Sequence, residues 1–203
     1  MRRLLAVLTA LVVLTGSSGV ASATFATGTY GAGNYGICSF GTACSITISS
    51  SSTVNLNVTP ASGGRCTIQK DIATVTTDDS NGYTLSLAST TTATSLTNGA
   101  ATITATSGTA ASPAVLVSNR WGYRVDGFGS FGAGPTSAQS SISPPSLTFA
   151  ALVSSSGTAD TIATTSVAAS SGAVTNVWYG ACADNTTKSG TYTAQVTYTA
   201  VAN

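Results

Sequence analysis

The chain has no histidine and no glutamate. Histidine, glutamate and aspartate supply most general acids and bases, so two of the three commonest proton-transfer residues are missing. Charge of either sign is scarce: Lys and Arg total 7 and the acids, all Asp, total 6 in 203 residues. There is no basic patch to neutralise phosphates, which argues against a nucleic-acid partner. No polybasic run points to anionic lipid either. Helix formers are thin beyond the first residues, and no long window repeats apolar residues at three-four spacing. The longest apolar run, Leu4–Leu14, is 11 residues and is broken only by Thr9. A membrane-spanning helix needs roughly 20, so the chain is not expected to span a membrane.

That run belongs to a different pattern. Arg2 and Arg3 precede it, and Ala21-Ser22-Ala23 follows shortly after. A basic start, an apolar stretch and a small-x-small site are the order of a secretory signal peptide. Cleavage is expected after Ala23, so residues 1–23 form the leader and the exported chain starts at Thr24. Its five cations (Arg65, Lys70, Arg120, Arg124, Lys188) and six Asp (71, 78, 79, 126, 160, 184) leave a net charge of 5 − 6 = −1. Ser and Thr hydroxyls take the place of surface charge, and Thr also suits strands. The expected location is extracellular, with association to a cell surface as an option.

Export permits disulfides, and the cysteine count of 4 is even. Three pairings are possible; Cys38–Cys44 with Cys66–Cys182 is the one favoured. Zinc is disfavoured because there is no His and no paired C-x-x-C spacing. No metal and no cofactor is expected.

Beyond residue 44, short period-two segments alternate with Gly, Ser, Asn and Pro. Strands are expected over 45–50, 53–59, 66–77, 83–88, 101–106, 114–118, 121–126, 146–150, 161–168, 173–180 and 190–201. This spacing predicts an all-β fold, an Ig-like antiparallel β-sandwich over residues 45–203 behind a Gly-rich N-terminal arm, residues 24–44. A hairpin is expected where Ile72–Thr77 meets Tyr83–Ala88 across Asp78-Asp79-Ser80-Asn81-Gly82. The closing stretch reads as one strand with Tyr192, Ala194, Val196, Tyr198 and Ala200 on its apolar face. No sorting motif or anchor follows that strand, so attachment to a cell is expected to be noncovalent. Residues 127–146 read as a loop of Gly, Ser and three Pro.

Catalysis lacks a constellation to rest on, and the chain is expected not to be an enzyme. Asp78-Asp79 precede Asn-Gly and read as turn chemistry. The binding candidates are aromatic: Trp121 and Tyr123, two apart on one strand face, and Phe128 and Phe131 in the Gly-rich loop 127–135. One reading makes them a platform that stacks on sugar faces. The other places Trp121 and Trp178 in the core beside a disulfide. The loop 127–135 is expected to accept Ala at Phe128 and Phe131 with little change in melting temperature.

The segments YGACADNTTKSGTYTAQVTYTA, NGYTLSL and RWGYRV resemble secreted bacterial surface β-sandwich proteins of the WxL-like and spore-coat-U-like groups. The WxL motif itself is absent, since Trp121 is followed by Gly-Tyr and Trp178 by Tyr-Gly. The resemblance implies a β-sandwich at the cell surface and carries over no binding residues. The function expected is structural or adhesive and non-enzymatic. The alternatives are a carbohydrate- or cell-wall-binding module using the loop aromatics, and a subunit of a pilus-like surface polymer. A cell-wall glycan or a surface protein is the expected kind of partner.

Overall fold

The computed structural model of the chain describes residues 8–13, 45–51 and 53–203. The leader other than 8–13, the arm 24–44 and the expected Cys38–Cys44 bridge lie outside the described residues. Every regular element described is a strand, and most pairings are antiparallel.

The frame is a long antiparallel pair, β4 (Arg65–Thr77) and β13 (Ala169–Ala183). Both alternate small or β-branched residues, which fit a pleated surface buried on one or both faces. Cys66 stands directly opposite Cys182 and is disulfide-bonded to it, so the favoured second pairing is found. Both cysteines are fully buried. On one side of this pair lies β10 (Gln139–Ile142), with β2 (Ile46–Ser49) also on β4; on the other lies β9 (Arg120–Val125). The sheet continues through β7 (Ala101–Ala105), β6 (Leu96–Asn98), β14 (Thr191–Ala194), β1 (Leu8–Val13) and β3 (Thr53–Val58). A second sheet holds β12 (Asp160–Thr164), β5 (Tyr83–Ser89) and β15 (Val196–Ala202).

The two sheets share one core. Val54, Leu56 and Val58 of β3 are buried, while the residues between them are exposed, a strict period of two. Leu85 and Leu87 of β5, Ile162 of β12, Val196 of β15 and Tyr123 and Val125 of β9 meet them in the same cluster. A smaller cluster lies behind β4 and β13. Cys66, Ile68, Trp178 and Cys182 pack there against Leu116 and against Phe149 of the short pair β8 (Ala114–Val115) and β11 (Thr148–Phe149). Gly180 makes the approach possible: a Cβ there would lie 2.8 Å from both Leu116 Cδ2 and Phe149 Cε1.

Four expectations are corrected. The segments 66–77 and 83–88 are strands, but they do not form a hairpin. β4 pairs with β13, β10 and β2, whereas β5 pairs with β12 and β15 in the other sheet. Residues 78–82 are an arch between layers. The Gly82 amide donates to the Asp79 carbonyl at 3.0 Å, and Gly82 has φ +78°. A Cβ at Gly82 would collide with the backbone of Thr165. Likewise 190–201 is not one strand. It breaks at Gln195, with β14 in the large sheet and β15 in the small one. The alternation survives the break, since Tyr192 and Val196 are both 1% exposed. The expected loop 127–146 contains β10, and β6 lies in the Thr-rich 90s where no strand was expected.

Candidate functional site

The aromatic candidates come together, but inside. β9 carries Trp121 and Tyr123 on the face directed at the main core, and both are 0% exposed. The Trp121 indole N–H donates to the Thr94 carbonyl at 2.9 Å. The Tyr123 hydroxyl donates to Asp160 Oδ2 at 2.7 Å, joining β9 to β12 across the core. Burial, helped by the adjacent carboxylate, pushes that hydroxyl far above its ordinary range. Phe131 is 5% exposed and its ring lies 5.6 Å from that of Tyr123, tilted by 56°. Phe128 is half-buried and leans on the same core. A sugar-stacking platform needs open ring faces, and Trp121, Tyr123 and Phe131 present none. The reading of Trp121 and Trp178 as core residues fits the packing, and Trp178 lies in the cluster that holds the disulfide.

What draws Phe131 inward is a residue that sequence reasoning passed over. Arg124 is 1% exposed on the other face of β9. Its Nη2 donates to the carbonyls of Phe131 (2.7 Å), Gly132 (3.0 Å) and Ala133 (3.2 Å), and its Nη1 donates to that of Thr148 (3.2 Å). The guanidinium therefore gathers the Gly-rich loop around itself. Its planar fork of donors suits this task better than an ammonium would. Burial lowers its pKa, and nearby Asp126 acts against that shift. Asp126 Oδ1 in turn accepts from the Gly134 amide at 2.7 Å.

A second buried polar group spans the layers. Asp71 of β4 is 0% exposed. Its Oδ1 accepts from the amides of Ser51 (2.9 Å) and Ile72 (2.8 Å), and its Oδ2 from the Tyr198 hydroxyl (2.9 Å). The Tyr179 and Tyr198 hydroxyls are 2.8 Å apart. Because Tyr198 donates to Asp71, Tyr179 donates to Tyr198. Burial raises the pKa of both tyrosines. Asp71 shares its face of β4 with the buried Ala73 and Val75 and so interrupts apolar alternation in a chain with few charges, whereas Arg124 and Asp160 do not. That interruption was the available sequence signal.

The surface offers a different kind of site. Where the chain leaves β14 for β15, a cleft of about 250 Å³ is lined by Thr91, Ala93, Ser95, Thr97, Thr193 and Gln195, with Ala194 beside them. Three hydroxyl threonines, a serine and an amide give it donors and acceptors without charge. Such a lining can hydrogen-bond a neutral polar ligand and holds no titratable group to move a proton. On the opposite end of the large sheet, Asp184 organises the turn before β14. It accepts from Thr186, Asn119 and Ser118, and these bonds, that of the Thr186 hydroxyl foremost, hold its carboxyl down at about 2. Among the described residues no group of His, Cys, Asp or Glu is placed to hold a metal ion. No described helix is long and apolar enough to cross a membrane.

No family model, curated protein or solved structure matches the chain.

Proposed function

We propose that the chain is an exported, non-enzymatic β-sandwich of Ig-like character with a structural or adhesive role at a bacterial cell surface. The observation that carries this reading is the Cys66–Cys182 bridge, fully buried between the two strands that frame the fold. Disulfides of this structural kind form and persist in oxidising compartments. The leader pattern of residues 1–23, the hydroxyl-rich surface and the resemblance of the closing segment to WxL-like and spore-coat-U-like proteins agree with it.

A specific feature favours the carbohydrate-binding alternative, in a place other than the loop aromatics. The cleft at Thr91–Thr97 and Thr193–Gln195 carries no charge and lines hydroxyls and one amide beside apolar surface. It suits an uncharged glycan, which offers hydroxyls and apolar ring faces together, better than a phosphate or a carboxylate. The test is a glycan array and a peptidoglycan pull-down of the purified protein beside Thr97→Val and Gln195→Ala. Retention that drops about tenfold in both variants, as expected for the loss of one or two good hydrogen bonds, supports glycan adhesion. Equal retention in all three proteins removes the cleft, and no retention in any leaves the structural role.

A further inference from the structure

Two of the chain's 7 cations stand on one rung of the large sheet. Lys70 of β4 is directly opposite Trp178 of β13, and Trp178 is directly opposite Arg124 of β9. Directly opposed residues of a ladder share a face. The three side chains therefore lie side by side on the face that also holds Cys66 and Cys182. Lys70 Nζ is 5.7 Å from the centre of the Trp178 ring. Among the described residues no carboxylate pairs with either cation: Arg124 donates only to backbone carbonyls, and Lys70 rests on the indole. Buried charges are normally paired, because taking an ion out of water is costly. Arg124 is 1% exposed and departs from that rule.

The same face collects the unsatisfied groups of the interior. Among the described residues three buried side-chain atoms lack a hydrogen-bond partner: Arg124 Nε, Trp178 Nε1 and Gln139 Oε1. Gln139 of β10 stands opposite Ile68, so it shares this face with the other two. Buried polar groups are normally satisfied, and three exceptions on one face call for a cause. They stand where the cover of the face ends. Towards the disulfide, Leu116 and Phe149 pack over it. Away from the disulfide it is bare, with Ile72 38% and Val174 61% exposed. The Gly-rich loop crosses between, because β9 and β10 lie on opposite sides of the β4–β13 pair. Its hold on Arg124 is through neutral carbonyls. Nη2 carries two hydrogens and meets three of them, at 2.7, 3.0 and 3.2 Å, so one acceptor is in excess. A carboxylate is a stronger acceptor than a carbonyl, and one entering from the bare side can displace them.

We propose that Arg124, Trp178 and Lys70 form a carboxylate-binding site for an acidic peptide segment of a partner protein. The Asp or Glu carboxylate of that segment accepts from Arg124 Nε–H and Trp178 Nε1–H, and Lys70 supplies a second positive charge at the exposed rim. A main-chain N–H of the segment donates to Gln139 Oε1, and an apolar neighbour of the acid lies on Ile72 and Val174. Two donors, one acceptor and an apolar strip are together the complement of such a segment. An inorganic anion would leave the acceptor and the strip unused. The negative charge has to come from another molecule. All six Asp of the chain are among the described residues, and each accepts from groups away from this rung. Asp126, the acid whose charge acts on Arg124, takes the Gly134 amide. The proposal depends neither on the cleft at Thr91–Thr97 nor on export.

The test is proton–nitrogen NMR of the purified protein titrated with the capped tripeptide acetyl-Leu-Asp-Val-amide. The same tripeptide with Asn in place of Asp is the control, and glucuronate is the acidic-sugar arm. The chain has 2 Trp, and the Trp178 indole signal is recognised by its through-space contact with Lys70. The expected result is that the Trp178 Nε1–H and Arg124 Nε–H signals both move, saturably, with the Asp tripeptide and stay in place with the Asn tripeptide. Lys70→Gln alters an exposed side chain, should leave the rest of the spectrum unchanged and should weaken binding about two- to fivefold, the worth of an exposed ion pair. Val174→Asp should weaken it by repulsion, and Lys188→Gln, in the turn before β14, should have no effect. If neither signal moves with the Asp tripeptide, if both tripeptides move them alike, or if Lys188→Gln matches Lys70→Gln, the proposal is overturned. Glucuronate binding as tightly as the Asp tripeptide overturns a peptide as the occupant.

Discussion

Removing one hydroxyl from Tyr198 tests the polar bridge between the layers. Tyr198 lies on β15, in the small sheet, and its hydroxyl joins Asp71 of β4 to Tyr179 of β13. Tyr198→Phe keeps the ring and its packing. It leaves Asp71 Oδ2 without its donor and the Tyr179 hydroxyl without its acceptor, both in the interior. A hydrogen bond to a charged group is worth about 1.5–3 kcal/mol and a neutral one about 1 kcal/mol. The expected loss is therefore about 3 kcal/mol, and at about 2–4 °C per kcal/mol for a chain of this size Tm falls by about 6–12 °C. Tyr179→Phe removes only the neutral bond and should cost about 1 kcal/mol. The assay is urea unfolding of Tyr198→Phe, Asp71→Asn and the double variant, with the disulfide intact. The sum of the two single losses should exceed the loss of the double variant by about 1–2 kcal/mol, because both substitutions break the same bond. A Tyr198→Phe cost below about 0.5 kcal/mol, or strictly additive losses, would refute the bridge.

Phe131→Ala should destabilise by about 3–5 kcal/mol, the usual cost of emptying a buried aromatic site, whereas half-buried Phe128→Ala should cost clearly less; thermal melts of the two separate a core residue from a loop residue. Gly180→Ala should cost about 1–3 kcal/mol by overpacking against Leu116 and Phe149, seen as a lower urea midpoint without a change in slope. Stability should fall on the alkaline side. Burial raises the hydroxyl pKa values of Tyr123, Tyr179 and Tyr198 above the ordinary 10.0. Above that pH the unfolded chain releases protons that the folded chain keeps, so each tyrosine removes up to about 1.4 kcal/mol per pH unit. Urea midpoints measured from pH 8 to pH 11 should be flat and then decline, and a rise above pH 10 would contradict the burial of these hydroxyls.

The sequence by itself determined the chemistry of the elements. Period-two alternation in 53–58, 83–89 and 191–202 marks strands because a strand half-buried in water must place apolar side chains on one face. The missing His and Glu and the even cysteine count were equally local facts, while Cys66–Cys182 was a favoured partner choice among three open pairings until the structure placed the two cysteines opposite each other. Tertiary structure alone decided which edges met. Alternation says which face is buried and nothing about which strand lies beside it, so Thr77 and Tyr83 could belong to a hairpin or to two sheets with the same pattern. Competition for backbone partners settled it: β13 offers β4 twelve registered pairs, and β15 offers β5 seven. The position of the aromatics was decided in the same way. Gly-rich residues 127–135 carry no periodicity, so only the convergence of three loop carbonyls on buried Arg124 shows that Phe131 turns inward. A charge within an apolar strand takes its meaning from the groups the fold brings to it, and those come from residues far along the chain. Tyr198 reaches Asp71 across 127 positions, a distance over which no local pattern in the sequence extends.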